Sequence, residues 1–474
     1  MVGVSAVDST PSDTRNAEEL LKKAARYVQE DKPLAIGSDV ELAGRVGVDL
    51  QNAFNGRVVY CEGDFLFYNG KRWEAIQAAV LRRFVQKYDG VKYGARNSVV
   101  RLGTGKINSV LTELSSMLAA PDWFKSVRVG VNCQNGFVVF DEDGTPTLEP
   151  HSADHRQRHV LGAEYGATKR TYAGSLFEKL LSGCFFDDPE AEQKIKVLSE
   201  VAGATVLGYG PKLIDPKAVV LLGPTAENGK SRILGVLRGL LPETAVSTIP
   251  PTKFADERYL VRLVGKQLNT SDELGSAGAI GADIFKRCIT GDPVSARDVY
   301  ASAIEFCPTA QHVFACNRLP AFQGGMDRGV LRRLVVVLFN RTIPYGERID
   351  GISEMILRDE LDLVLGFAIK GAARLLKRRS FSDVPSSRVA LSEWSQSSDV
   401  VLAWLSERTV RGEALMMKTA EAYFDFKWWA SAGGYRLPAI NTFSTRLRET
   451  GLEYKHSGGF KGFVGLRVKR MLED

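Results

Sequence analysis

The stretch "GPTAENGKS", residues 223–231, lies between an apolar run, "AVVLL" (218–222), and an amphipathic one, "RILGVLRGLL" (232–241). A buried strand that turns through glycine into a helix can hold a phosphate. The first N–H groups of the helix carry partial positive charge and lack partners within the helix, so they attract an anion. Gly229 keeps the loop narrow, Lys230 reaches the β- and γ-phosphates, and the Ser231 hydroxyl ligates Mg²⁺. The expected nucleotide-binding set is therefore Gly223, Pro224, Thr225, Ala226, Glu227, Asn228, Gly229, Lys230 and Ser231, with ATP and Mg²⁺ as cofactors. A standard phosphate loop leaves about four residues between its first glycine and the Gly-Lys pair. Five separate Gly223 from Gly229, so either the loop is one residue longer or Pro224 stands in the first-glycine position.

Hydrolysis needs further groups around that anion. "LNTSDEL" supplies Asp272 to orient the Mg²⁺ shell and Glu273 to activate the attacking water. Two acids at a strand end are common in any chain; their place about 40 residues after the loop is what ties them to a nucleotide. "VFACNRLP" ends an apolar run with Asn317, which can bond the nucleophilic water or simply cap a turn. Arg332 and Arg333 precede "LVVVLF"; one of them can serve as an arginine finger donated by a neighbouring subunit, because charge builds on the γ-phosphate during transfer. An exposed arginine pair is otherwise an ordinary structural feature.

In this order the residues resemble the superfamily-three AAA+ helicases, and most closely the primase-associated helicases of phages, phage satellites, plasmids and poxviruses. The resemblance rests on "GPTAENGKS", "KQLNTSDEL", "DIFKRCITGDPVSARDVY", "HVFACNRLP" and "MDRGVLRRLVVVLF". It is strong over 215–345 and looser over the rest of 50–474. It implies an α/β chain: an AAA+ P-loop motor with a central parallel sheet, preceded by an α+β domain and followed by a winged-helix-like module. It implies a ring, a hexamer, that unwinds DNA to initiate replication of a mobile element, with a separate primase as a partner. An ATP-switched, origin-binding initiator with little unwinding is the alternative. The stretch "GDPVSARDVYASAIEF" corresponds to a channel hairpin that grips single-stranded DNA, which puts Arg297 and Tyr300 on the moving strand. "ASA" stands where a lysine is usual in that hairpin, a departure like the longer loop.

Around these residues the chain divides into 1–35, a helical lead; 36–175, an α+β domain; 176–345, the motor; 346–384, a helical block ending in a linker, "SFSDVPSS"; and 385–474, the terminal module. "RVVYCEGDFLFYNGKRWEAI" reads as two strands around a turn, with Asn69-Gly70 as the hairpin signal. Apolar runs in 262–274, 284–308, 311–320 and 328–339 each read as a buried strand of a parallel sheet. In the terminal module "ALMMKTAEAYFDFKWWASAGG" reads as a helix. "NTFSTRLRETG" reads as a second helix capped by Asn441 or Thr442 and carrying Arg446 and Arg448. "EYKHSGGFKGFVGLRVKR" reads as a two-stranded wing with Lys455 and Lys461. That order would set duplex DNA against the second helix and the wing.

The chain's 474 residues carry a net charge of +6, and residues 436–470 hold eight Lys/Arg against two Glu. Such a basic end suits a polyanion or a solvated face. Six cysteines with no C-x-x-C pair fit a reducing cytoplasm. The first residues lack a basic end and apolar core, so they read as no signal peptide, and no apolar run approaches the roughly 20 residues of a membrane span. His151, His155 and His159 fall four apart, yet with no matching Cys or carboxylate set they read as a polar loop rather than a metal site. Asp141 and Asp143 read as turn residues at a hairpin tip.

Overall fold

The computed structural model describes residues 33–167, 171–272, 274, 279–297, 303–323, 325–398, 400–432, 437–457 and 459–469. The chain folds into two compact units, residues 1–169 with 240–245 and 302–306, and residues 170–239, 246–301 and 307–474.

In the first unit, helices Asp39–Ala53, Ala78–Gln86 and Thr104–Met117 bury Leu42, Val46, Leu50, Phe84, Val110 and Leu114 in one core. Ser38 caps the first of them by accepting the Glu41 N–H, and the Glu41 carboxylate accepts from the N–H groups of Ile36 and Gly37. Residues 57–76 form three strands, not the expected two: Val58–Cys61, Asp64–Tyr68 and Trp73–Ala75 in an antiparallel meander. Asn69-Gly70 joins the second pair. The first turn is made by Glu62 and Gly63, both at positive φ (52° and 94°), a geometry usually reserved for Asn-Gly or Asp-Gly. The hairpin Gly136–Phe140 with Pro146–Glu149 turns at Asp141, whose Oδ1 accepts the Thr145 N–H (2.7 Å). His155 stacks on Phe137 with ring centroids 4.1 Å apart, and His151 Nδ1 lies 2.9 Å from Asn132 Oδ1. Among the described residues no His, Cys, Asp and Glu gather as a metal set.

The second unit holds a five-stranded, all-parallel sheet in the order Val246–Ser247, Leu268–Ser271, Gln311–Cys316, Ala218–Leu222, Leu334–Leu338. Its central strands are buried on both faces, which is why they read as continuous apolar runs. The run in 284–308 does not join this sheet. Phe285, Cys288 and Ile289 repeat at helical spacing, and Ala282–Thr290 is a helix closed by Gly291 at φ 68°. Helices Ala191–Leu207 and Leu361–Arg378 cross with their backbones touching. A Cβ at Gly371 would fall 1.7 Å from the Ser199 carbonyl oxygen, and one at Gly203 would fall 2.2 Å from the Ala372 nitrogen. Only glycine fits at either position.

The stretch 380–387 is not a linker here. The fully buried Glu200 carboxylate accepts the Ser382 N–H (2.7 Å) and pairs with Arg378 (2.6 Å). Glu190 accepts the Ser386 N–H (3.0 Å), and Ser387 Oγ accepts the Val336 N–H (2.8 Å), covering the open edge of the sheet. In the terminal region, Thr409–Lys418 is a strand. It pairs antiparallel with Phe460–Val468, which pairs with Tyr454–Ser457. Helices Thr419–Ala432 and Ile440–Glu449 pack Phe426, Phe443 and Leu447 against this sheet. The cap of the second helix is Ala439, ahead of both Asn441 and Thr442. No helix of the described residues is long and apolar enough to cross a membrane.

His312 lies fully buried on the strand Gln311–Cys316. Asn269 exchanges two hydrogen bonds with the Ile249 backbone, which points its Nδ2 at His312 Nδ1 (3.2 Å). Burial pushes the imidazole pKa down to about 4. The neutral ring's contribution is therefore complete above pH 6.5 and lost as pH falls through 4. The drop is about 3 kcal/mol between pH 7 and pH 4. Urea titrations at those two pH values should show it, and His312→Gln should remove that share of it. An equal drop in the variant would exclude His312 as the source.

Candidate nucleotide site

Gly223, just past the strand Ala218–Leu222, is tied to the neighbouring strand: its N–H donates to the Cys316 carbonyl (3.2 Å). The strand itself ends at Leu222, and the loop runs on from Gly223 through Pro224. Glu227 and Gly229 turn it, with φ of 61° and 86°, and helix Lys230–Gly239 begins at the lysine. A Cβ at Gly229 would lie 2.2 Å from Cys184 Sγ, and one at Gly223 would meet Asn228 Nδ2 at 2.2 Å, so neither position tolerates a side chain. Asn228 is buried and braces the turn by donating from Nδ2 to the Thr225 carbonyl (2.7 Å).

The Lys230 ammonium is folded into this loop. It donates to the Gly223 carbonyl (3.0 Å), Asn228 Oδ1 (2.9 Å) and Asn317 Oδ1 (3.1 Å). Burial lowers its pKa from the ordinary lysine value. Beside it, burial raises the Cys316 thiol to about 12, with Lys230 opposing. Loop and sheet together enclose a cleft of about 660 Å³ whose lining includes Lys230, Ser231, Asp272, Cys316 and Asn317. The strand that ends in Cys316 lies between the loop strand and the strand that leads to Asp272, so Asn317 emerges between the lysine and the acid.

Ser231 is exposed at the first turn of the helix. Asp272, half exposed, is ion-paired with Arg238, whose Nε also donates to Thr270 Oγ1 (2.8 Å). Glu273 and Tyr300 lie outside the described residues. Arg297 is exposed and paired with Glu257 (3.0 Å). Arg332 has an exposed side chain, whereas Arg333 is half buried and donates to the Gly329 carbonyl (2.8 Å). Burial, and then the charge of Arg332, lower the Arg333 pKa. Both precede Leu334, which pairs with Ala218, so they stand at the end of the sheet opposite the loop 223–229. In the terminal region Arg446 pairs with Glu449 (2.7 Å), Arg448 stacks on Tyr454 (3.8 Å), Lys455 lies 3.8 Å from Glu453, and Lys461 is exposed.

Two partners of the site escaped the sequence reading. Arg238 follows Ser231 by seven residues on one helix face, a spacing that two helical turns bring into line. Residues 341–348 return over the loop: the Ile343 N–H donates to the Glu227 carbonyl (2.9 Å), Thr342 Oγ1 bonds Thr225 Oγ1 (3.0 Å), and Arg348 pairs with Glu227 (2.5 Å). No local pattern marks that return.

Residues 221–333 match the model of a protein family of unknown function, DUF5906. No curated protein matches the chain. Among solved structures, the A form apo structure of the NrS-1 C-terminal region is similar at 14% identity and a TM-score of 0.42, covering 73% of this chain and 72% of that one. The A form apo structure of its residues 305–718 is similar at 11% identity and a TM-score of 0.41, covering 86% and 96%. The apo structure of the same region gives 11%, 0.40, 87% and 96%. At these scores the likenesses say nothing of what this chain does.

Proposed function

We propose that the chain is an ATP-dependent DNA helicase of the superfamily-three AAA+ type, acting as a ring, a hexamer, in replication of a phage, phage satellite or plasmid in the cytoplasm. One observation carries the reading: Lys230, Asn317 and Asp272 converge on a single cleft at the ends of parallel strands. The residues fit a magnesium nucleotide. Among the described residues the partners of the buried Lys230 ammonium are neutral oxygens, which triphosphate oxygens can replace at a gain in charge pairing. Ser231 and Asp272 line the same cleft and would hold Mg²⁺, which neutralises charge on the β- and γ-phosphates when bound.

In this mechanism Lys230 leaves Asn317 for the phosphates, and the freed Asn317 amide orients the attacking water. Asp272, paired with Arg238, would be a ligand in the Mg²⁺ shell, and Glu273 would accept the water's proton. Arg332 or Arg333 of a neighbouring subunit meets the charge that develops on the γ-phosphate. Arg297 and Tyr300 contact single-stranded DNA, Arg446, Arg448, Lys455 and Lys461 contact duplex, and a separate primase is the implied partner. The test is strand displacement on a forked duplex. ATP should support it and a non-hydrolysable analogue should not. Duplex binding without displacement under ATP would replace the helicase by an ATP-switched initiator.

A further inference from the structure

We propose that residues 82–106 in the first unit form a docking surface for duplex DNA, gripped through its phosphates. This stretch holds seven Lys/Arg against a single acid, Asp89. Asp89 is turned to the backbone, where its Oδ1 accepts the Leu102 N–H at 2.7 Å. The cations ride on a built frame rather than a solvated loop. Lys92–Tyr93 pairs antiparallel with Ser98–Val99, and the Gly90 N–H to Val100 carbonyl (2.8 Å) and Val100 N–H to Val91 carbonyl (2.9 Å) bonds close the base. Tyr88, Val91 and Val100 anchor that base in the helical core.

Neighbouring strand residues point to opposite faces. Tyr93 lies against Gly37, where a Cβ would come within 2.7 Å of its ring, so Lys92 and its pair partner Val99 face outward. Arg83, Lys92, Arg96 and Arg101 are all exposed, and none makes an ion pair among the described residues. Like charges held together repel one another, and a polyanion relieves the repulsion while releasing its own counterions. The surface has no stacking platform: Phe84 and Tyr88 are buried, and Tyr93 is packed. Proteins that grip single strands stack bases on aromatic rings. A face offering cations alone matches the regular phosphates of a duplex, with no preference for sequence.

The full chain is tested, without nucleotide, by fluorescence anisotropy on a labelled mixed-sequence duplex across a salt series. The Lys92→Gln, Arg96→Gln, Arg101→Gln triple variant should bind at least ~10-fold more weakly at 0.1 M salt, and its log K against log salt should be shallower by about 3, near 0.9 for each lost cation. A Glu triple at the same positions should weaken binding further. All three side chains are exposed, so melting curves should coincide with that of the unaltered chain. Unchanged affinity and slope in folded variants would overturn the proposal, as would a loss confined to single-stranded oligonucleotides. A chain that hydrolyses no ATP yet shows this loss would defeat the helicase reading and leave the duplex surface standing.

Discussion

Lys230→Ala should cut ATP hydrolysis by about 10²–10³-fold while the chain stays folded. The ammonium is the one cation placed by the loop itself, where the transferred phosphoryl would sit, and its partners among the described residues are two backbone carbonyls and two amide oxygens. Neutral oxygens can take water in its place, because the cleft of about 660 Å³ is open to solvent. The stability cost should therefore stay near 1–2 kcal/mol. Lys230→Arg should fail as well. A planar fork cannot present the point charge of an ammonium. Phosphate release by the purified variants, beside their circular-dichroism melts, measures both halves. Turnover at the unaltered rate in Lys230→Ala would remove the phosphate-loop assignment altogether.

Features encoded within a few residues were legible in the sequence, and those closed over long separations were not. The loop Gly223–Gly229 announces itself because glycine, lysine and serine must stand at fixed offsets, and the flanking strand and helix follow from period and burial. Asn317 was legible as the polar end of an apolar run, but its 3.1 Å contact with Lys230 spans 87 positions. The Glu62-Gly63 turn was missed because glutamate seldom adopts positive φ. The strand Thr409–Lys418 was misread because Ala414, Leu415, Met416 and Met417 favour helices locally; pairing with Phe460–Val468 overrides that preference. Ser382 and Ser386 look like linker residues until Glu200 and Glu190, more than 180 positions away, are seen to bind them.

Arg332→Ala should abolish hydrolysis in a uniform assembly yet regain part of it when mixed with Lys230→Ala. The geometry gives the reason. Arg332 and Arg333 precede Leu334, which is level with Ala218, whereas the loop begins beyond Leu222. The strand between these levels spans roughly 13 Å at about 3.3 Å per residue. That exceeds the reach of an arginine side chain, so neither guanidinium reaches the loop of its own chain, and in the proposed ring it would meet a neighbour's site. In a closed ring each site joins one subunit's lysine to the next subunit's arginine. Random mixing of equal amounts leaves about one interface in four with both groups intact, so activity should return toward a quarter of the unaltered rate. Arg332, whose side chain is exposed, should show this rescue. Arg333 is tied to the Gly329 carbonyl, and its replacement should loosen the short helix Arg328–Leu331 and lower the melting temperature instead. Steady-state hydrolysis across a mixing series separates the cases. A flat series for both arginines would place them in the structure of their own chain and deny the ring its shared sites.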